Sequence, residues 1–352
     1  MTLAAFSWRD GLAYGLLGLP LAFVALPLYV VLPNHYAREF GVPLATLGAV
    51  LLGARLFDAF IDPLIGRATD RLFARSIRAV LMFGAIAALV LAAGFALLFF
   101  PPTRAPDTLV PWATAMLVLT YAAYSALSVA HQSWGAMLGG DAALRSRIVS
   151  WREGLGLVGV LAASVLPTVA GLEVTAVAFA LLLAGGWLAW SRARAPVARA
   201  GATATNIWLP FARPAFRRLL GVFMLNGIAS AVPATLVLFF IQDRLQAPAQ
   251  LEPAFLASYF LCAALSIPLW LMGVQRFGLA RCWLAGMVLA MSVFVWATQL
   301  GAGDTAAFLV VCALSGVALG TDLALPGAML AGVIANAGDR GQAEGAYFGW
   351  WN

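Results

Sequence analysis

Ten apolar stretches dominate this 352-residue sequence, and each is long enough to cross the hydrocarbon core of a bilayer, which is about 30 Å thick. They lie at about residues 11–34, 44–66, 78–100, 109–138, 150–171, 173–191, 217–241, 253–273, 279–300 and 305–332. Hydrophobic residues make up 63% of the chain and charged residues 10%, whereas soluble domains carry about 25% charged residues. The sequence therefore predicts an all-α polytopic membrane protein.

The arginines predict how these helices are oriented. All 21 basic residues are arginine, and 17 of them lie at the N-terminus or in alternate loops. Only Arg38, Arg104 and Arg244 lie in loops of the other side, and Arg55 lies within a span. Because cytoplasmic loops carry an excess of positive charge, we expect a multi-pass protein of the inner membrane with a cytoplasmic N-terminus. This bias explains the net charge of +6 without a nucleic-acid partner.

The cysteines and the remaining reactive residues give no sign of catalysis. Cys262, Cys282 and Cys312 lie within or at the ends of spans with no paired spacing, which indicates neither disulfides nor a metal site. The sequence contains no nucleophile–base pair and no metal-ligand spacing of the kind that enzymes need. We therefore expect a protein that is not an enzyme and that uses no cofactor other than a coupling ion.

A faint internal repeat predicts two halves. The segments DPLIGRATDR, from residue 62, and IPLWLMGVQR, from residue 267, both end a helix and enter an arginine-bearing loop. The offset of 205 residues suits a transporter built from two repeated six-helix halves. We expect an N-terminal half at 1–191, a cytoplasmic linker at 192–216 and an incomplete C-terminal half at 217–352. The same offset places an eleventh helix near residue 355, so the last two helices of such a fold are expected to be missing.

The second apolar stretch contains a charged stripe. Arg55, Asp58 and Asp62 are three and four residues apart, so an α-helix places them on one face. Each would cost about 2.5–3.5 kcal/mol at the middle of a bilayer, so the stripe must face protein or a watery cavity. One arginine neutralises only one of the two carboxylates, and a bound Na⁺ or a proton would neutralise the other. Pro63 also frees the backbone carbonyl of Ala59 beside Asp62.

The alternative for this stripe is a structural role, in which Arg55 pairs with one aspartate and the other caps or bends the helix. The repeat offset places Asp58 at Ala263 and Asp62 at Ile267, so only one half carries the charges. This asymmetry argues against a symmetric packing role. No metal is expected beyond a possible Na⁺ at Asp58 and Asp62.

Three motifs carry a resemblance to a known family. They are GARLFDAFIDPLIGRATDR from residue 53, SWGAMLGGDAALRSRIVSWREG from residue 133 and EGAYFGWWN from residue 344. The chain resembles the glycoside-pentoside-hexuronide:cation symporters, the melibiose-permease-like branch of the major facilitator superfamily. The resemblance implies a twelve-helix fold that rocks about a central cavity, with Asp58 and Asp62 holding Na⁺, Li⁺ or H⁺ and Arg55 as their basic partner. It also implies that Asp70 and Arg71 belong to a cytoplasmic loop that latches the inward gate.

The sequence departs from this family at its sugar-binding acids. The helix-one aspartate that contacts galactosides falls at Ala22, the helix-four aspartate at Ser128 and the aromatic residue one turn later at Gln132. The galactoside clamp is therefore absent, although Arg152 lies within one residue of the family's helix-five sugar-binding arginine. Glu153 beside it is expected to form a local pair with Arg152.

The fourth apolar stretch supplies candidate solute ligands. Polar and aromatic residues recur there every three to four positions: Tyr121, Tyr124, Ser128, His131, Gln132 and, nearby, Trp134. Aromatic faces combined with hydrogen-bonding groups suit a sugar, whose C–H faces stack on rings while its hydroxyls find partners. The alternative is interhelical hydrogen bonding and packing, which we favour for the two tyrosines, whereas a cavity role is favoured for His131.

Asp322, in LGTDLALPGAML, is the other intramembrane acid. It is four residues before Pro326, which leaves the Asp322 carbonyl without its usual donor. Its side chain is expected either to contact the solute or relay a proton, or to be satisfied by Thr321 and a neighbouring helix.

Three hypotheses follow for the whole chain, which we expect to be a monomer in the lipid bilayer. The first is a cation-coupled symporter of a small polar organic solute, a sugar or glycoside, that works by alternating access. The second is a transporter of an amphiphile such as a lysolipid, because the cavity is apolar and the galactoside acids are missing. The third is a truncated membrane subunit that does not transport.

Overall fold

The computed structural model describes residues 6–197 and 206–352, and within them the chain is helical with no β-strand. The helices are α1 Trp8–Gly15, α2 Gly18–Leu26, α3 Leu32–Glu39, α4 Leu44–Arg75, α5 Ile77–Phe99, α6 Pro106–Leu138, α7 Ala142–Ser191, α8 Pro214–Phe239, α9 Glu252–Phe277, α10 Leu279–Ala297, α11 Thr305–Ala324, α12 Pro326–Asn336 and α13 Glu344–Trp351. Short π-helical turns lie at Pro27–Val31 and Phe240–Arg244, and 3₁₀ turns at Leu209–Ala212 and Ala249–Leu251.

Nine helical segments of the described chain are long and apolar enough to cross a membrane. They are Trp8–Glu39, Ile77–Phe99, Asp107–Leu138, Ala142–Pro167, Val169–Ser191, Pro214–Pro233, Ala254–Phe277, Leu279–Ala297 and Thr305–Asn336. Helix α4, which is 32 residues long, covers the remaining predicted stretch. The predicted all-α membrane fold is therefore confirmed.

Proline and glycine residues explain where the long helices depart from regular α-helical geometry. In the first span a π-helical turn begins at Pro27, whose ring cannot donate the backbone hydrogen bond that an α-helix needs. The fifth and sixth spans are merged in α7, but Gly171 interrupts them with φ 82° and ψ 170°. Only glycine adopts such a conformation easily, so this residue ends one span and starts the next.

The chain forms two compact units. The first comprises the described residues of Met1–Gly139, Trp151–Ala212 and Ile334–Asn352, and the second comprises Gly140–Ser150 and Arg213–Val333. The division into halves at residues 191 and 216 stays a prediction, because it rests on the repeat rather than on these contacts.

In the first unit α4 packs against α5, α6 and α13, and aromatic residues fill the core. Phe179 stacks on Phe23 with ring centroids 5.8 Å apart and lies 4.7 Å from Phe95. At the crossing of α4 and α13, a Cβ atom added to Gly66 would collide with the Gly345 carbonyl, and one added to Gly345 would collide with the Gly66 carbonyl. The two helices therefore touch backbone to backbone, which only small residues allow.

In the second unit α11 packs along both α9 and α10. Gly316 lies against the backbone of Tyr259 on α9, and Gly286 of α10 lies against the side chain of Thr321. A cluster of buried apolar residues fills one end of the unit, including Ile241, Phe255 and Phe308. Small residues thus set the close helix spacing here as well.

Candidate functional site

Asp58 lies at the centre of a polar cluster between α4 and α6. Its side chain is buried, and the residue is 8% exposed. The Ser125 hydroxyl of α6 donates a hydrogen bond to Asp58 Oδ1 at 3.0 Å. On the other side, Arg55 Nη1 lies 3.7 Å from Asp58 Oδ2. The predicted pairing of Arg55 with one aspartate is present, and Ser125 is a partner that the sequence did not identify.

Asp62 lies one helical turn further along the same face of α4. It is 3% exposed, and its Oδ1 atom has no hydrogen-bond partner among the described residues. A buried carboxylate oxygen without a donor is costly, because it has left water without a replacement partner. The two carboxylates and the Ser125 hydroxyl are hard oxygen ligands of the kind that bind small cations, and a proton on Asp62 would supply a donor equally well.

Arg55 is held by aromatic rings as well as by Asp58. Its guanidinium carbon lies 4.2 Å from the ring centroid of Tyr29 and 5.3 Å from that of Tyr121, both within cation–π range. The Arg55 side chain is 48% exposed, and its contact with Asp58 is longer than a hydrogen bond. Arg55 therefore compensates the aspartates only partly. Tyr29 is a further residue of this site that the sequence analysis did not predict.

Ser128 and Gln132, which were predicted to bind the solute, form a hydrogen-bonded group with Asn352. Gln132 Nε2 donates hydrogen bonds to Ser128 Oγ and to Asn352 Oδ1, each at 2.8 Å. Ser128 and Gln132 are buried. Asn352 was part of a motif that carried the family resemblance, but no spacing argument assigned it a ligand role.

His131 and Trp134 are enclosed by protein in this structure. His131 is fully buried, stacks on Tyr14 with ring centroids 4.3 Å apart, and has Nε2 2.8 Å from the Tyr14 carbonyl oxygen. Trp134 is 1% exposed, and its indole N–H donates to the Arg194 carbonyl at 3.0 Å. Trp190 packs edge-on against both rings. This geometry favours packing over solute contact for both residues, contrary to the preference that the sequence suggested for His131.

Arg152 forms the predicted local ion pair with Glu153. The backbone and the Cγ atom of Arg152 lie against Gly18 of α2, where an added Cβ atom would collide with them. The Arg152 side chain is only 20% exposed, and its charge is paired with Glu153 where α7 contacts α2. Whether Arg152 also binds a solute remains a prediction.

Asp322 belongs to the second unit and is half-buried. Asn226 Nδ2 of α8 and Trp283 Nε1 of α10 both donate to Asp322 Oδ1, at 3.0 Å and 2.7 Å. The Thr321 hydroxyl donates instead to the Ala318 carbonyl at 2.8 Å, so the expectation that Thr321 satisfies Asp322 is wrong. A threonine hydroxyl within a helix readily bonds back to its own preceding turn. The neighbouring helices supply the donors, and Trp283 is one that the sequence did not identify.

Asp70 caps the N-terminus of α13. Asp70 Oδ1 accepts from the Gly345 amide at 2.6 Å, and Oδ2 accepts from the Ala346 amide at 2.9 Å. A carboxylate is favourable there because the first backbone N–H groups of a helix lack partners within it. Arg71 is exposed and makes no hydrogen bond or ion pair within the described residues. The structure thus brings Asp70, but not Arg71, to the contact between α4 and α13.

Glu344, which directly precedes this contact, is fully buried outside the membrane-spanning segments. Its Oε1 atom accepts from the Gly341 amide at 2.7 Å, whereas its Oε2 atom has no hydrogen-bond partner among the described residues. Burial raises the pKa of the Glu344 carboxyl to about 7.

The comparisons with known proteins agree with this architecture. The family described as "MFS/sugar transport protein" matches residues 11–351. The chain is 28% identical over 158 residues to the Escherichia coli (strain K12) protein named "Putative glycoside/cation symporter YagG". That match covers 44% of this chain and 34% of the relative, so it spans about a third of the relative's length.

Three solved structures share the fold at low sequence identity. The E. coli fucose:proton symporter FucP (N162A) has a TM-score of 0.74 at 14% identity, covering 98% of this chain and 88% of that one. A bacterial homologue of the iron transporter ferroportin, in its outward-facing state, has a TM-score of 0.70 at 16% identity, with coverages of 98% and 88%. The MFS proton:xylose symporter XylE, bound to 6-bromo-6-deoxy-D-glucose, has a TM-score of 0.64 at 12% identity, with coverages of 98% and 85%. These likenesses show that the chain shares the fold of the three proteins. The family match, which covers nearly the whole chain, is to transporters rather than to enzymes.

Proposed function

Because this chain belongs to the family of MFS/sugar transport proteins, we propose that it is a symporter that couples a sugar-like solute to Na⁺ or H⁺ bound at Asp58 and Asp62. The observation that carries this proposal is the pair of buried carboxylates in α4. The solute class is suggested by the family and by the glycoside/cation symporter to which part of the chain is similar.

The charges around Asp58 and Asp62 support a bound cation. Arg55 is the nearest basic side chain, and it is half-exposed and 3.7 Å from Asp58. Asp62 keeps one oxygen without a donor. A cation between the two carboxylates, with Ser125 as an additional oxygen ligand, would supply the missing positive charge. A proton on Asp62 would remove the negative charge instead, so the site suits either ion.

The proposed solute ligands share a helix face with the cation site. Ser125, Ser128 and Gln132 are three and four residues apart on α6, so they line one stripe. Along the helix the stripe extends about 10 Å from Ser125 to Gln132, at about 1.5 Å per residue. Ion binding at Ser125 would therefore fix the same helix face that presents Ser128 and Gln132 to a solute, which is a direct route for coupling.

Helix α13 links this stripe to a proposed gate. It presents Asn352 to Gln132 at one end and its N-terminus to Asp70 at the other. Gly349 of α13 also lies against the Asp62 backbone carbonyl. Asp70 and Arg71 lie in the last turns of α4 rather than in the expected loop. We infer that α13 moves relative to α4 during transport and that Asp70 holds the closed position, while exposed Arg71 anchors this end of α4 at the membrane surface.

Uptake into vesicles tests the proposal. The full chain would be reconstituted with imposed Na⁺ or H⁺ gradients, and labelled sugars and glycosides would be offered as solutes. We expect one solute to accumulate only with a gradient, and accumulation to disappear in Asp58→Asn and in Asp62→Asn. Asp107→Asn is the matched control, since this exposed aspartate lies in the first turn of α6 away from the site. Full accumulation in both site variants would overturn the coupling role, and uptake of a lysolipid but of no sugar would overturn the solute class.

A further inference from the structure

A groove of about 430 Å³ opens between three helices of the second unit. Its walls are formed mainly by apolar side chains on α9, α10 and α11. They include Trp270, Gly273, Phe277, Cys282, Ala285 and Val317. All of its lining residues belong to the second unit.

The polar atoms in these walls are satisfied within the protein. Trp270 Nε1 donates to the Val317 carbonyl at 2.8 Å. Ser266 Oγ donates to the Ala263 carbonyl at 2.9 Å and lies 3.2 Å from the Val317 carbonyl. Apart from Arg281 at one end and the weakly polar thiol of Cys282, the walls therefore offer no donor side chain that still needs a partner. A polar solute would lose hydrogen bonds to water on entering such a groove, whereas an apolar chain would not.

One end of the groove is positively charged. Arg281 lines it there and is exposed, and Arg276 lies with its guanidinium carbon 5.5 Å from the ring centroid of Phe277. Neither arginine forms an ion pair with any residue in the described ranges. Arg276 lies in the last turn of α9 and Arg281 in the first turn of α10, so two uncompensated cations flank this end of the apolar groove. An anionic group there would gain charge-assisted hydrogen bonds.

The length and exposure of the groove match one leaflet of a bilayer. Along α9 it extends from Ser266 to Phe277, which is about 16 Å of helix at about 1.5 Å per residue. Half of a hydrocarbon core of about 30 Å is about 15 Å. Leu269 and Phe277, on its rim, are 62% and 55% exposed, so the groove is open along the helix surface. An acyl chain could lie along it from the charged end to the middle of the membrane.

We propose that this groove binds an anionic phospholipid, with one acyl chain against Trp270 and Val317 and the phosphate on Arg281 and Arg276. Arginine-bearing loops face the leaflet that is rich in anionic lipids, which places the charged mouth where such headgroups are available. The bound lipid is an occupant of the surface of the second unit, and its binding does not depend on the ion or the solute.

Fluorescence quenching by brominated lipids tests this proposal. The purified full chain would be placed in bilayers containing brominated phosphatidylglycerol or brominated phosphatidylcholine at increasing mole fractions. The difference in quenching between the wild type and Trp270→Phe isolates the signal of Trp270. We expect Trp270 to be quenched at a lower mole fraction of the anionic lipid, with about a fivefold loss of apparent affinity for each arginine removed in Arg276→Gln and Arg281→Gln.

The controls separate this site from general attraction to the surface. Arg38→Gln with Arg104→Gln removes two arginines of the first unit and should leave the quenching of Trp270 unchanged. Ala285→Phe, which fills the groove, should weaken quenching by the anionic lipid while both arginines remain. Circular dichroism would establish that each variant is folded. Equal quenching by the two lipids in the wild type, or a preference that survives removal of both arginines, would overturn the proposal.

Discussion

The Gln132 side chain on α6 donates a hydrogen bond to the side-chain oxygen of Asn352, the residue directly after α13, at 2.8 Å. The same Gln132 nitrogen also donates to Ser128, so one amide group connects two helices of the first unit. Gln132 occupies the position at which the family that this chain resembles has an aromatic residue. The contact therefore lies at one of the positions where the sequence departs from the galactoside-binding pattern.

Removal of the Gln132 amide should weaken solute binding. We expect Gln132→Ala to raise the solute concentration for half-maximal uptake about tenfold, because hydrogen bonds to a polar solute and to Asn352 are both lost. Concentration-dependent uptake would measure this change. Gln299→Ala, at an exposed position beyond α10, is the control. Unchanged half-saturation in Gln132→Ala would exclude Gln132 from the solute site.

Removal of the Ser125 hydroxyl should weaken ion binding specifically. Ser125→Ala deletes the donor to Asp58, and we expect about tenfold more cation to be needed for half-maximal uptake, with a smaller effect on the solute dependence. Uptake measured across a range of cation concentrations would show it. Ser292→Ala is the matched control, since the hydroxyl of this exposed residue bonds only to its own helix. A cation dependence equal to that of the wild type would argue against Ser125 as a ligand.

A substitution of Asp322 tests for an effect on solute binding rather than on cation binding. Asp322→Asn removes a charge while keeping an oxygen that can accept from Trp283 and Asn226. If Asp322 binds the solute, we expect the solute concentration for half-maximal uptake to rise about tenfold, with no change in the cation dependence. The same uptake assay measures both quantities. A shift in the cation dependence alone would make Asp322 part of the coupling machinery instead.

The contact between Gly66 and Gly345 predicts a large difference between two similar substitutions in α4. Gly66→Ala places a Cβ atom against the Gly345 carbonyl, and we expect a loss of about 1–3 kcal/mol of stability from overpacking. Gly53→Ala is the control, because its added Cβ atom meets no other atom within 4 Å. Thermal unfolding in detergent would compare the two variants. Equal melting temperatures would show that α4 and α13 are not in contact in solution.

Glu344 predicts a dependence of stability on pH. Its pKa is about 7 in the folded chain, above the ordinary value of 4.5, so the folded protein holds this proton more tightly than the unfolded chain does. The resulting stability is fully present below about pH 4.5, falls as the pH rises to about 7, and amounts to about 3 kcal/mol.

Glu344→Gln, which cannot ionise, tests this dependence. The variant should lose this component of the pH dependence between pH 5 and 8, and it should melt at a higher temperature than the wild type at pH 8. Melting curves recorded at several pH values would show both effects. Identical pH profiles for the two proteins would contradict the buried, protonated state of Glu344.

The spacing of residues within one helix was predictable, but contacts between helices were not. The offsets of three and four residues correctly placed Arg55 beside Asp58, because helix geometry alone determines that relationship. Nothing in α4 specifies that Ser125 faces Asp58. The one available signal was its position three residues before Ser128, which places both on one face of α6. Trp283 had no signal at all, since its partner Asp322 lies on another helix.

His131 illustrates the same limit for a single residue. Its position in a polar stripe favoured a cavity, yet Tyr14 and Trp190 enclose it on both sides. Helical periodicity tells which residues share a face but not whether that face meets another helix or open space. The burial of His131 depends on aromatic residues more than 50 positions away in either direction, which no local pattern can reveal.

The glycine contact between α4 and α13 has a consequence for kinetics. Since no side chain separates the two backbones, rotamer changes cannot loosen the contact gradually. Any separation must break both amide hydrogen bonds to Asp70 in the same event, because Gly345 and Ala346 are consecutive residues. The release of α13 should therefore be cooperative, with a single activation barrier and no stable half-open intermediate.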